Sequence, residues 1–127
     1  VMGETSGTSS DLAAGSKWAV KAGADIINLS LATVAYGEPP RILKEAVKYA
    51  DEEGVVLIGA SGNNGRSSIS YPAAYPEVIS VGAINKDKEK APYSNCGPKL
   101  DFVAPGSKIM STNSPVIDNG NKKYYTH

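Results

Sequence analysis

Asp25-Ile26-Ile27-Asn28-Leu29-Ser30-Leu31 is a short, apolar, β-branched run bounded by Gly23 and by polar residues. It is too short for a helix and lacks strict alternation. Such a run reads as a strand covered on both faces, as strands of parallel sheets are. The flanking residues support that reading. Upstream, Thr8-Ser9-Ser10-Asp11 offers helix N-caps, and Leu12, Gly15/Ser16, Ala19 and Ala22 follow at helical spacing. Gly23 then supplies a left-handed stop. Downstream, Pro39-Pro40 opens a second helix at its first turn. Ile42, Leu43, Ala46, Val47 and Ala50 make its apolar stripe, while Arg41, Lys44, Glu45, Lys48 and Glu52 take the other faces.

Gly54 ends that helix, and Val55-Val56-Leu57-Ile58 is a second buried strand. Residues 78–84 and 100–104 are two further strand candidates. Helix, strand, helix, strand, strand is the rhythm of an α/β fold, a parallel sheet with flanking helices. Its predicted core strands cover residues 26–30, 55–60 and 78–83. Ligands of such sheets bind beyond the carboxyl ends of the strands. That rule singles out Ser30-Leu31-Ala32 and Ala60-Ser61-Gly62-Asn63.

A chain of 127 residues is the size of one small domain and long enough to bury a core. Its 13 Lys plus Arg balance 13 Asp plus Glu, so charge supplies no reason to expect nucleic acid or an anionic membrane as partner. A hydrophobic content of 41% argues against disorder. Neither a signal peptide nor a membrane span is visible in the apolar runs. Cys96 is alone, so no internal disulfide forms. Both ends read as interior to a larger domain.

Five segments, in order, resemble the subtilases, the subtilisin-like serine proteases. The run 25–31 is similar to the strand that walls their substrate cleft. Gly59-Ala60-Ser61-Gly62-Asn63-Asn64-Gly65 resembles their A-G-N loop, and Tyr71-Pro72-Ala73 through Gly82-Ala83 their Y-P-A…V-G-A segment. Tyr93-Ser94-Asn95-Cys96-Gly97 and Asp101-Phe102-Val103-Ala104-Pro105-Gly106 resemble the S-x-x-G and D-x-x-A-P-G elements that follow. The resemblance implies that residues 1–127 are the central part of a subtilase catalytic domain, a partial subtilisin-like fold. The aspartate and histidine motifs are then expected before Val1 and the nucleophile motif after His127. It further implies a cis peptide bond between Tyr71 and Pro72.

Acyl transfer passes through a tetrahedral oxyanion, and a donor fixed where that charge appears lowers the barrier. Taken alone, Asn63 is an ordinary occupant of a left-handed turn. The motifs around it imply the oxyanion donor instead. The same resemblance implies that Ser30, Leu31 and Ala32 hold a peptide or protein substrate by main-chain hydrogen bonds, with Ala32 where the family usually has glycine. Ala60, Ser61 and Gly62 would line the opposite wall. The carbonyls of Ala73, Tyr75 and Val78, with Asp101, are implied as a site for calcium or a monovalent cation, although Lys99 stands where some relatives place an acid.

Ser6-Gly7-Thr8-Ser9 mimics a nucleophile motif but precedes the A-G-N loop instead of following it, so Ser9 reads as an N-cap or loop residue. His127 lacks the surroundings of a catalytic histidine, and Cys96 has no histidine motif beside it. The expected function is therefore a piece of a serine endopeptidase, inactive as 127 residues alone and completed by the remaining parts of its domain. The family resemblance favours a secreted setting. The alternative is a non-catalytic, pseudoprotease-like domain that binds peptides. A nucleotide-binding domain is disfavoured, because no G-x-G-x-x-G or Walker lysine follows any strand.

Overall fold

The computed structural model describes residues 7–33, 41–109, 116–118 and 121–123. The features expected at residues 1–3, 39–40 and 124–127 lie outside them.

Helix α1 spans Ser9–Lys21. Thr8, not Ser9, is its N-cap: the Thr8 hydroxyl accepts from Asp11 N at 3.1 Å, and Asp11 Oδ2 accepts from Thr8 N at 3.0 Å. This reciprocal pair satisfies donors the first turn would otherwise leave open. Ser9 is simply the first helical residue. Gly23, at φ 82°, ends the helix as expected. Strand β1 (Ile26–Leu29) leads to α2 (Arg41–Glu52), β2 (Val56–Ala60), β3 (Val78–Ile84) and β4 (Phe102–Pro105).

The strands lie in the order β1-β2-β3-β4, and every neighbouring pair is parallel. Ile26 faces Val56, Ile58 faces Ile79, and Val81 faces Phe102. The expected α/β sheet is therefore present, with strand ends shifted by one or two residues. The Tyr71–Pro72 bond is cis, as expected.

One face of the sheet is covered. Leu43, Val47 and Ala50 of α2 pack with Leu29, Val55, Leu57, Tyr75 and Val78, while α1 packs chiefly on α2. Burying each large aliphatic side chain there contributes about 1.5–3 kcal/mol. Ile42 departs from expectation: it is 41% exposed. It lies one residue, about 100° of helical turn, away from Leu43. The i, i+3, i+4, i+7 set Leu43, Ala46, Val47 and Ala50 carries the buried stripe by itself.

The other face is open. Side chains alternate along strands, so Ile26, Val56 and Phe102 share that face, and they are 59%, 42% and 63% exposed. Beyond the main sheet, β5 (Val116–Asp118) and β6 (Asn121–Lys123) pair antiparallel, a hairpin that the periodicity does not reveal. No described helix is long and apolar enough to cross a membrane.

Candidate functional site

The carboxyl ends of all four parallel strands open onto one cleft of about 360 Å³. Asn28 and Ser30 border it from β1, Ala60 to Asn63 from β2, Ala83 from β3, and Ala104 to Gly106 from β4. The cleft lies over the open face, because Asn28, Ile58, Ala60, Val81, Ala83 and Ala104 all project to that side by strand alternation. Ser30, Ala60, Ser61, Gly62 and Asn63 are thus brought together. Leu31 and Ala32 lie just beyond, on the extended continuation of β1. Leu31 N donates to Leu29 O at 2.8 Å and Thr33 N to Tyr71 O at 2.8 Å. Ser30 and Ala32 are exposed.

The β2 end turns sharply because Gly62 adopts φ 110° and Gly65 φ 65°. The turn is tied to the segment 91–96. Gly65 N donates to Tyr93 O at 2.8 Å, Asn95 N to Gly62 O at 2.9 Å, and Cys96 N to Arg66 O at 2.9 Å. Ser61 is 2% exposed, and its hydroxyl donates inward to Asn95 O at 3.1 Å. Of Ser61, only backbone can therefore meet a ligand. Asn63 is exposed on the cleft, and its carboxamide makes no hydrogen bond to any described residue.

At the amino-terminal ends of β3 and β4, Lys99 Nζ donates to Val78 O at 3.0 Å and to Asp101 Oδ2 at 2.7 Å. Ser80 N also donates to Asp101 Oδ2, at 2.8 Å, and Tyr75 O accepts from Val78 N at 3.2 Å. Three of the four oxygens suggested for a cation are thus engaged, two of them by an ammonium group. A hard cation needs about six oxygens or more, and a resident positive charge repels it. Ala73, Tyr75, Val78 and Asp101 do not fit calcium or a monovalent ion. Among the described residues, no three His, Cys, Asp or Glu side chains gather as a metal cluster.

The hydrogen bond from Lys99, followed by those from Ser80 N and the Ser80 hydroxyl, holds the Asp101 pKa at about 2, below the ordinary 3.8. A depressed folded-state pKa means that the carboxylate's contribution to stability is complete above pH 4 or so. It is lost as pH falls through the folded value near 2. Lys99→Met should raise that pKa toward the ordinary range, as followed by an NMR titration of the Asp101 carboxyl. An unmoved midpoint would mean that the Ser80 bonds alone hold it down.

Asn95 lies within the S-x-x-G motif, and the sequence alone assigns it no role. It is 1% exposed and hydrogen-bonds to both arms of the Asn63 turn. The signal available was an amide residue, Asn95, following Ser94 in a segment of otherwise loop character.

The Subtilase family model matches residues 1–127. Subtilisin BL of Lederbergia lenta is 42% identical over 106 residues, covering 84% of this chain and 38% of that protein. The minor extracellular protease Epr of Bacillus subtilis (strain 168) is 41% identical over 108 residues, covering 84% of this chain and 16% of its own. Among solved structures, the patellamide maturation protease PatA superposes with a TM-score of 0.77 at 34% identity, covering 94% of this chain and 44% of that one. The chain thus spans less than half the length of the relatives it matches.

Proposed function

This chain belongs to the subtilase family, and on that premise we propose that it is the part of a serine endopeptidase that supplies the oxyanion donor and two walls of the peptide cleft. The observation carrying this reading is Asn63: a carboxamide without a hydrogen-bonding partner among the described residues, on a tied-down turn, at the carboxyl end of β2 beside the cleft. A serine oxygen attacking the scissile carbonyl, its proton passing to a general base that the remaining parts of the domain would supply, pushes the carbonyl electron pair onto oxygen. The Asn63 amide N–H donates a hydrogen bond to that oxygen from a position set before the reaction, so little reorganisation is needed as the charge develops.

The substrate backbone lies along Ser30, Leu31 and Ala32 in the manner of an added strand. Ala60 and the backbone of Ser61 and Gly62 form the facing wall. Small residues there leave room for a sizeable side chain. Away from the cleft, the part of the open face bearing Ile26, Val56 and Phe102 receives the remaining parts of the catalytic domain, since parallel sheets are ordinarily covered on both faces. An extracellular setting is supported by the relative named as an extracellular protease. No described feature favours the non-catalytic alternative.

Treatment of the complete protein with a fluorophosphonate is the direct test. The expected result is labelling of one serine together with loss of peptide hydrolysis, while the 127 residues alone neither label nor hydrolyse. A complete protein that takes no label and cleaves no peptide overturns the proposal.

A further inference from the structure

We propose that Asn95 is the positioning residue for Asn63, an inference that rests on Asn63 being the oxyanion donor. No hydrogen bond joins Asn95 to Asn63, yet Asn95 grips the turn on both sides of it. Its Oδ1 accepts from Asn64 N and from Arg66 N, each at 3.0 Å. Its backbone N–H donates to Gly62 O at 2.9 Å, and its carbonyl accepts from the Ser61 hydroxyl at 3.1 Å. Its own amide is oriented by donation from Nδ2 to Ser70 Oγ at 3.2 Å. Gly65 completes the set through Tyr93 O.

Each of residues 61–66 except Asn63 therefore bonds to the segment 93–96. Asn63 is left at the apex, with its neighbours fixed and its own amide available to a ligand. The chemistry explains why an asparagine suits position 95. One carboxamide oxygen has two lone pairs and can hold two backbone N–H groups at once, while the amide nitrogen locks the oxygen's direction. Asn95 is itself buried and the two amides are partly so, so losing that acceptor leaves them poorly satisfied unless the turn shifts toward other acceptors. A displacement of about 1 Å at a catalytic group can cost on the order of 10²-fold in rate.

The test uses the complete protease and a chromogenic peptide amide. Asn95→Leu, similar in size but with no polar atom, should lower kcat by about 10-fold to 10²-fold with KM little changed. Asn95→Asp, which keeps the double acceptor, should retain most of kcat. In an Asn63→Leu background, Asn95→Leu should cause little further loss, because the group it positions is gone. Should Asn95→Leu not fold, Ser70→Ala carries the same test at smaller amplitude. It removes the acceptor that orients the Asn95 amide, and its few-fold loss of kcat should also vanish beside Asn63→Leu. Full kcat in Asn95→Leu, or equal losses with and without Asn63, would show that Asn95 does not act through Asn63. If instead Asn63→Leu itself leaves kcat unchanged, the oxyanion reading fails, and the two failures are told apart.

Discussion

Replacing Asn63 by leucine in the complete protease is expected to cut kcat far more than it raises KM. The two side chains are nearly equal in size, but leucine has no donor for the developing oxyanion. The yardstick is about 10²–10³-fold in kcat, a magnitude borrowed from subtilisin, where removal of that enzyme's own oxyanion asparagine has this effect. A loss confined to kcat marks an interaction made only in the transition state. Stability should stay within about 0.5 kcal/mol, as for other surface substitutions, because Asn63 is exposed and its carboxamide bonds to no described residue. Steady-state kinetics alongside urea unfolding separate the two effects. Wild-type kcat in a folded variant would return Asn63 to the role of a turn residue.

The parts of this fold that are legible in the sequence are those governed by local pattern. Residues 26–29, 56–60 and 78–84 are legible as strands because each is a short, mainly apolar and β-branched stretch bounded by turn residues. Helix α2 is legible from Leu43, Ala46, Val47 and Ala50, although Ile42, expected in the stripe, lies outside it. The β5–β6 hairpin is not foreseen, although Asp118-Asn119-Gly120-Asn121 contains the Asn-Gly pair that favours a two-residue turn. Three-residue strands are too short to display a period.

Within the site, Asn63 stands out only through the family motifs around it, since its glycine-flanked turn alone reads as ordinary loop. Asn95 does not, because its partners are backbone amides 31 and 29 residues earlier in the chain. Their approach depends on the tertiary path of two loops, and no periodicity encodes it. The same holds for Lys99. Its charge is visible in the sequence, but its contact with Val78 O exists only because β3 and β4 lie side by side.

Gly62→Ala is the change expected to damage fold and catalysis together. At φ 110°, Gly62 lies where an L-residue with a Cβ is strained, at a cost of about 1–3 kcal/mol. Space is lacking as well. A Cβ would stand 2.4 Å from Asn95 Nδ2 and 2.5 Å from Ser70 Oγ. Those atoms form the hydrogen bond that orients the Asn95 amide, so neither can yield without releasing the turn. Overpacking of this kind adds about 1–3 kcal/mol, and a shifted Asn63 should lower kcat by roughly 10²-fold. Gly15→Ala is the matched control. Gly15 lies inside α1, and an added Cβ there meets nothing within 4 Å. The same methyl group should stabilise the protein at that site by about 0.5–1 kcal/mol. Urea unfolding of both variants, with kcat measured on each, should give opposite signs for stability and a rate loss only for Gly62→Ala. If Gly62→Ala matched the parent in both measurements, the Gly62–Asn95–Ser70 contact would not be holding the turn in place.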